Sequence, residues 1–297
     1  MTRTLLDAVQ RYTEAHDDPA GTAPAKIAGL NLVRTTTTGE LQYGIQHALI
    51  CLVLQGTKDV TIGGRTLSFQ AGDSMLITAD VPTVSQISKA SRVAPYLSFA
   101  LDLDPALIAD LSAEMKVAPL EEAMPLTLQP TDVEVADTAL RLVRLLDRPA
   151  SIPVLKESLI REMHYWLLAG RHGPAIRHLG FPDSHARRIG RAVAAIRAGF
   201  AAPLRVKQLA AIAGMSPSTF HHHFRSITSL SPLQFQKQLR LIEARRIMLA
   251  DGTPPSHAAY AVGYESVQQF TREYRRLFGL PPVQETKAAR RRVYMVV

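Results

Sequence analysis

The stretch VKQLAAIAGMSPSTFHHHFR, from Val206 to Arg225, decides the fold of the C-terminal part of the chain. Gly214 stands where a helix pair must turn sharply, a position that favours positive φ. Ser216 is an N-cap residue, and Pro217 suits the first turn of a following helix. The apolar positions facing the core are Leu209, Ile212, Ala213, Phe220 and Phe224. The pattern predicts a helix-turn-helix, whose second helix is offered to the major groove of DNA.

The same pattern recurs in PSHAAYAVGYESVQQFTREYRR, Pro255 to Arg276. Gly263 makes the turn and Ser266 caps the second helix. The inward aromatic positions of that helix are Phe270 and Tyr274. Between the two units lies Pro232–Leu249, a helical stretch about 27 Å long at a rise of ~1.5 Å per residue. That length is of the order of the ~34 Å between successive major grooves on one face of DNA, so both units are expected to engage the same duplex.

Charge is divided unevenly along the 297 residues, which carry a formal net charge of +8. Residues 1–183 hold 16 Lys+Arg and 21 Asp+Glu, a net of −5, whereas residues 184–297 hold 18 Lys+Arg and 5 Asp+Glu, a net of +13. A segment at +13 repels itself unless something anionic binds it. Nucleic acid is the commonest such partner. A generically basic domain is the alternative.

The N-terminal half follows a different pattern. From Leu32 to Phe99, short β-type runs are separated by turns, including the hairpin signal Gly63-Gly64, which predicts a β-sandwich or barrel. Helical periodicity predicts helices over 2–16, 105–115, 132–146 and 153–168. Residues 171–183, with glycine, proline and no sustained period, are predicted to be a linker. From Ser184 onward the chain reads as helix, in seven segments.

Composition limits the class of protein. Hydrophobic residues make up 46% and charged residues 20% of the chain, as in soluble globular proteins. The longest unbroken apolar runs are short, such as Ala48–Leu54, and predict no membrane span. The N-terminus has no apolar signal-peptide core, so we expect a cytoplasmic protein. The single cysteine, Cys51, excludes an internal disulfide; it is either a core residue or a thiol sensor. Arg290–Arg292 either contact phosphate or belong to a disordered end.

Residues 184–297 resemble the DNA-binding domain of AraC-type (AraC/XylS) transcription regulators. The resemblance lies in LAAIAGMS, in SPLQFQKQLRLIEARRIML and above all in VGYES–QQF–REYRRLFGLPP. The N-terminal half resembles the effector domain of one AraC-type subgroup in CLVLQGTKDV (51–60) and ASRVAPYLSFALDLDP (90–105). The resemblance implies an α+β chain of two domains. These are a cupin-like β-barrel with flanking helices over 1–170, which senses a small molecule or mediates dimerisation, and an all-α double helix-turn-helix domain over 184–297.

In this family, bases are contacted by the outward face of each reading helix. Carried over one by one, the DNA-binding positions are Pro217, Ser218, His221, His222 and Arg225 in the first unit, and Val267, Gln268, Gln269 and Arg272 in the second. Gln can pair with adenine, Arg with guanine, and His only weakly with guanine. The first unit is therefore expected to read bases less richly than the second. The positions expected to contact phosphate or lie in solvent are Arg240, Arg245, Arg246, Arg275 and Arg276.

Enzymatic and metal-binding alternatives find little support. His221, His222 and His223 point about 100° apart on a helix and cannot converge on one ion. The β-region holds one histidine, His47, and one glutamate, Glu40, too few for the two-histidine, one-carboxylate site of many cupin enzymes. Gln46 and His47 either line a ligand pocket or lie on the strand surface. No cofactor, metal or catalytic residue is expected.

The leading hypothesis is a transcription factor, either an activator or a repressor. Its expected partners are double-stranded DNA and an unidentified small-molecule effector. RNA polymerase and a second copy of the chain in a homodimer are further partners, and no membrane association is expected. One rival is a non-catalytic ligand-binding module or cupin-type enzyme with an incidental basic domain. Another is an architectural DNA-binding protein, whose affinity follows salt but not sequence.

Overall fold

A computed structural model describes residues 2–16, 22–118, 125–181 and 184–294. It divides into two compact units, Met1–Arg188 with Ser226–Ser229, and Ile189–Arg225 with Leu230–Val297. The first is rich in β-strands and the second is helical, so the predicted α+β class with a β-rich N-terminal part and an all-α C-terminal part is confirmed.

Two antiparallel sheets form the centre of the N-terminal unit. Their strands are β1 (Thr22–Pro24), β2 (Leu30–Thr35), β3 (Gln42–Gln46), β4 (Leu49–Gln55), β5 (Thr57–Ile62), β6 (Arg65–Gln70), β7 (Asp73–Ile77), β8 (Val81–Lys89), β9 (Tyr96–Asp102) and β10 (Leu126–Pro130). One sheet has the order β1-β2-β9-β4-β7-β10 and the other β3-β8-β5-β6. Strand β10 pairs with β7 and was not predicted from the sequence.

Strand β4 shows why this sequence forms two cores. Successive side chains of a strand point to opposite faces. Ile50 and Leu52 belong to a core with the helices, whereas Cys51 and Val53 pack with the side chains between the two sheets. Both faces are buried, which explains the unbroken apolar run. Burial raises the pKa of the Cys51 thiol, so it is an uncharged core residue.

Helices cover the outer face of the larger sheet. They are α1 (Thr2–His16), α2 (Pro105–Glu114), α3 (Val133–Leu146) and α4 (Ile152–Ala169), within a residue or two of the predicted ranges. Asp104 caps α2 by accepting hydrogen bonds from the backbone N–H groups of Ala106 and Leu107. On α3 the side chains of Val135, Ala139, Leu142 and Val143 are buried. On α4 those of Met163 and Leu167 are buried, whereas Leu155 is 47% exposed.

The prediction of a linker over 171–183 is wrong for residues 171–181. These residues form helix α5 (Gly173–Ile176) and a 3₁₀ turn (Arg177–Gly180), and they bury Ile176 and Leu179 in the N-terminal core. The Nε2 atom of His172 lies 2.7 Å from the hydroxyl of Ser74 on β7. The two helical turns are too short to show a hydrophobic period, which is why the sequence suggested a linker. Residues 182 and 183 lie outside the described residues.

Seven helices make up the described part of the chain from residue 184 to 294. They are α6 (His185–Ala198), α7 (Val206–Ile212), α8 (Pro217–Thr228), α9 (Pro232–Ala250), α10 (Pro255–Ala261), α11 (Val267–Phe278) and α12 (Pro282–Tyr294). Helix α9 begins with a capping box, in which Ser231 and Gln234 each bond the other's backbone N–H. Among the described helices of the chain, none combines the length and the hydropathy needed to cross a bilayer.

Candidate nucleic-acid interface

The first helix-turn-helix unit consists of α7, a short turn and α8. Gly214 adopts φ +61°, as expected for the turn glycine. The Met215 N–H donates to the Ala210 carbonyl at 2.9 Å and closes the turn. The Ser216 hydroxyl then accepts from the Thr219 N–H at 3.3 Å, which caps the start of α8. Local backbone bonds therefore fix the angle at which α8 leaves the turn.

The second unit repeats this geometry in α10 and α11. Gly263 adopts φ +86°, and the Tyr264 N–H donates to the Ala259 carbonyl at 2.9 Å. Ser266 accepts from the Gln269 N–H at 3.3 Å. The second turn is one residue longer than the first, because Glu265 stands between the turn and the capping serine. The two units thus share their hydrogen-bond plan and differ in turn length.

Helices α8 and α11 are each held by a pair of buried aromatic rings. Phe220 and Phe224 on α8 lie 5.4 Å apart between ring centroids, and Phe270 and Tyr274 on α11 are also 5.4 Å apart. Phe224 makes an edge-to-face contact at 5.7 Å with Phe235 of α9. Helix α9 also packs against α10, α11 and α12. The same central helix therefore supports both units, and each reading helix keeps its opposite face outward.

The positions predicted to contact DNA lie mainly on these outward faces. Seven of the nine are exposed: Pro217, Ser218, His221, His222, Arg225, Gln268 and Arg272. Val267 and Gln269 are half-buried. Four polar side chains of α8 and two of α11 among these positions are therefore exposed to solvent.

Gln269 belongs to a side-chain network that the sequence did not reveal. Its Nε2 donates to Oε1 of Glu273 at 3.2 Å. Glu273 also accepts from Lys237 Nζ at 2.7 Å and from the Tyr264 hydroxyl at 2.8 Å. Burial raises the pKa of Glu273, but the bonds from Lys237, Tyr264 and Gln269 outweigh it and leave this pKa below its ordinary value. An ionised carboxylate therefore lies directly beside Gln269 on α11.

Two family profiles match the sequence, one in each part of the chain. The profile of the AraC-type transcriptional regulator N-terminus matches residues 26–175, just over half of the chain, and a helix-turn-helix domain profile matches residues 209–288. The chain belongs to the AraC-type transcriptional regulators. The predicted family is thereby confirmed.

Curated relatives match this AraC-type regulator over part of its length. An uncharacterized HTH-type transcriptional regulator of Bacillus subtilis, YobQ, is 30% identical over 79 residues, which are 27% of this chain and 33% of that protein. The HTH-type transcriptional regulator GbdR of Pseudomonas aeruginosa is 29% identical over 93 residues, 31% of this chain and 25% of that protein. The chain thus spans at most about a third of the length of these relatives.

Solved structures share the fold of the AraC-type chain over most of its length. An apo variant of ToxT from Vibrio cholerae superposes with a TM-score of 0.58 at 9% identity, covering 89% of this chain and 98% of that one. Wild-type ToxT bound to an unsaturated fatty acid gives 0.55 at 9% identity, covering 86% and 94%. These likenesses confirm a two-part fold and carry no residue roles.

Two of the arginines expected at phosphate or in solvent have structural roles in this AraC-type regulator. Arg240 donates to the carbonyls of Phe200 at 2.7 Å and Gly263 at 2.8 Å, and to those of Ala201 and Ala202 at 3.0 Å. Arg245 donates to Glu285 at 2.8 Å in a largely buried pair. The expectation is wrong for these two side chains, because each guanidinium is hydrogen-bonded inside the fold.

Other arginines remain available at the surface. Arg246 is exposed and pairs with Glu243 three residues before it, whereas Arg275 and Arg276 are exposed near the end of α11. Positive charge at these positions fits contact with phosphate and reads no sequence.

The described histidines of this regulator do not cluster with other metal-binding side chains. Within the described residues, no three His, Cys, Asp or Glu side chains lie close enough to hold an ion. His47 is exposed in the connection between β3 and β4, where its Nδ1 lies 3.2 Å from Asp80 Oδ1. Burial lowers the pKa values of His172 and His178 to about 4, which keeps both rings neutral inside the N-terminal core at pH 7.

A cleft of about 460 Å³ lies between α3 and α4 of the N-terminal unit. Its apolar floor is Leu145 and Leu159, and its rim carries Arg144 and Arg148, both exposed. Arg141 on the same rim is paired with Glu162. Apolar walls beside cationic groups suit a small molecule with an apolar body and an anionic head.

Proposed function

We propose that this AraC-type regulator is a non-catalytic, sequence-specific DNA-binding protein that inserts α8 and α11 into two successive major grooves of double-stranded DNA. The duplicated outward-facing helix, in a segment of net charge +13, is the observation that carries the proposal. Helix α9 has 19 residues and is therefore roughly 28 Å long. That length suits the ~34 Å spacing of two major grooves on one face of a duplex.

A binding-site selection with the full-length protein tests this function. The selected site should contain two conserved elements about one helical turn apart. Inserting five base pairs between them turns one element to the opposite face, so affinity should fall toward that of random DNA. Unchanged affinity after the insertion would contradict paired reading. Affinity that follows salt but not sequence would indicate an architectural protein, and an absence of binding would indicate a ligand-binding module.

Control by a small molecule is the second part of the proposal. The effector binds the N-terminal unit, residues 1–170, and shifts the protein between DNA-binding states. The protein acts in the cytoplasm, and RNA polymerase is a further proposed partner. ToxT, which shares the fold, has been solved with an unsaturated fatty acid. Together with the arginine-rimmed cleft, this favours an apolar carboxylic acid as the effector class.

A thermal-shift screen of carboxylic acids of increasing chain length tests the effector class. The unfolding temperature of the full-length protein should rise with a subset of them. The double variant Arg144→Ala/Arg148→Ala should abolish the rise. The exposed pair Arg65→Ala/Arg92→Ala is the charge-matched control and should keep it. A rise that survives loss of Arg144 and Arg148 places the effector elsewhere.

Dimerisation is proposed through the helices of residues 105–168. Helix α4 exposes Val154, Leu155 and Tyr165, with Val154 74% exposed. A second copy that covers this helix would remove these apolar side chains from water. Sedimentation equilibrium tests this: Val154→Glu should shift the mass toward a monomer, and a wild-type mass of one chain at micromolar concentration would contradict the dimer.

A further inference from the structure

The carboxylate of Glu273 stands one helical turn beyond Gln269 and has all its described partners inside the C-terminal unit. We propose that Glu273 is a positioning residue that fixes the orientation of the Gln269 side-chain amide, so that the amide oxygen is the group offered to the DNA. This inference rests on the proposed function, and specifically on Gln269 contacting a base. It assigns to an acidic side chain a part in sequence recognition by an otherwise basic domain.

The chemistry of the carboxylate decides which way the amide faces. An ionised carboxylate only accepts hydrogen bonds, whereas a Gln amide has a donating nitrogen and an accepting oxygen. The nitrogen of Gln269 must therefore turn toward Glu273, and the oxygen turns away from it. Lys237 and Tyr264 each donate to Glu273, at 2.7 and 2.8 Å, so the carboxylate is itself held in place.

The packing of Tyr264, which donates to Glu273, holds the Gln269 amide in this orientation. The ring of Tyr264 lies 5.4 Å from Phe270 and 5.9 Å from the guanidinium of Arg240, which binds four backbone carbonyls. Burial raises the pKa of the Tyr264 hydroxyl, and Glu273 raises it further, so the hydroxyl stays protonated and keeps donating. Each group of the network therefore has one role: Lys237, Tyr264 and Gln269 donate hydrogen bonds, and Glu273 accepts them.

A defined base preference follows from the fixed amide. An outward oxygen accepts hydrogen bonds from exocyclic amino groups, which in the major groove are N6 of adenine and N4 of cytosine. It meets repulsion from the keto oxygens of guanine and thymine. The second N–H of the Gln269 amide remains able to donate to N7 of adenine. The base read by Gln269 is therefore adenine first, cytosine second, and guanine or thymine last.

The first unit contains no equivalent of this network. When the capping serines are aligned, Thr219 corresponds to Gln269 and His223 to Glu273. Neither the amide nor the carboxylate is present there. The device therefore belongs to the second unit and acts on one base pair of its half-site.

Comparison of full-length wild type, Gln269→Ala and Glu273→Gln on one selected site tests the proposal. Relative affinities are measured for all four bases at every position. Gln269→Ala identifies the base pair that Gln269 reads. Glu273→Gln replaces the pure acceptor by an amide that donates as well as accepts, so the preference for adenine at that same pair should fall roughly three- to tenfold. Preferences at the other positions should not change.

Glu243→Gln is the matched control, because it removes one acidic charge from α9, where Glu243 pairs with exposed Arg246. It should leave every base preference unchanged. If Glu273→Gln does not fold, Tyr264→Phe removes one donor to the same carboxylate and should relax the same base pair by a smaller factor. An unaltered preference in a folded Glu273→Gln, or an equal loss at all positions, overturns the positioning role. A wild type that selects no site overturns the proposed function itself.

Discussion

The two helix-turn-helix units share a buried plan and carry different surfaces. Each has a turn glycine at positive φ, a capping serine bonded to the N–H three residues on, and an aromatic pair 5.4 Å apart. On the outside, His222 of the first unit corresponds to Arg272 of the second, and Ser218 to Gln268. The first turn closes in one residue fewer than the second.

This difference shows which positions the fold constrains. Substitution of the capping or aromatic residues would remove a backbone bond or leave a cavity, so both units keep them. The exposed positions, such as Ser218 and Gln268, lie outside the core, and they are free to differ in what they offer to DNA. The second unit presents longer side chains with more donors, and its support network orients at least one of them. The first unit presents histidines and a short serine.

Substitution of the turn glycines is expected to give the largest difference between the two units in the free energy of unfolding. A Cβ at Gly263 would lie 2.0 Å from the carbonyl oxygen of Ala201, so backbone must move. Gly263→Ala should lower the free energy of unfolding by about 3–5 kcal/mol, from backbone strain and overpacking together. Gly214→Ala, at φ +61°, should cost at least the ~1–2 kcal/mol of the backbone angle. Urea denaturation measures both.

Gly279→Ala is the control for the glycine comparison. Gly279 has φ +80°, close to that of Gly263, but nothing lies within 4 Å of its added Cβ. Its loss should therefore report the cost of the backbone angle alone, about 1–2 kcal/mol. Equal losses at Gly263 and Gly279 would show that the approach of Ala201 is unimportant, and that the two turns differ only in length.

Arg240 supports the turn of the second unit from within the fold. It donates to four carbonyls, one of them that of the turn residue Gly263. Arg240→Met should lower the free energy of unfolding by about 2–4 kcal/mol, because the carbonyls lose a charged donor. Arg246→Met, at an exposed position, should leave the urea midpoint unchanged. A midpoint unchanged in Arg240→Met would mean that water replaces the guanidinium.

The reading faces themselves are compared by Arg272→Ala and His222→Ala. Arg272→Ala should weaken binding to specific sites by roughly 1–3 kcal/mol and relax one base position, because an Arg forks onto guanine. His222→Ala should cost less than about 1 kcal/mol. Mobility shifts on the selected site and on single-base variants measure both. An equal loss on all sequences would make Arg272 a phosphate contact.

Sequence patterns revealed the helix-turn-helix units because their signals are local. Gly214, Ser216 and the aromatic pair lie within eleven residues, and each has a known positional preference. The roles of Arg240 and Glu273 were missed because their partners are distant in sequence: Arg240 binds carbonyls 23 to 40 residues away, and Lys237 is 36 residues from Glu273. No period or capping rule reports such contacts.

The β-rich unit shows the same limit. The short apolar run at β4 and the glycine turns predicted the strands, but β10 follows an acidic, proline-containing stretch and pairs with β7 about fifty residues earlier. Likewise, residues 171–181 pack through only a few buried side chains, too few to show periodicity. Tertiary contact decides the structure of such short elements, and sequence alone does not specify the partner.

The smallest expected effect is the pH dependence that Glu273 gives the second unit. Its pKa is lower in the folded protein than in the unfolded chain, so its contribution to stability is fully present above the unfolded pKa of about 4.3 and is lost as the pH falls through the folded pKa. Glu273→Gln should therefore lower the free energy of unfolding by about 1 kcal/mol at pH 7 and by progressively less below pH 4. Urea midpoints at pH 7, 5 and 3 measure the difference, with Glu243→Gln as the charge-matched control. At pH 3 the protonated carboxyl of Glu273 no longer accepts from Lys237, Tyr264 and Gln269 as the ionised group does. A stability difference that persists undiminished at pH 3 would therefore mean that Glu273→Gln destabilises the protein through its packing and not through the lost charge.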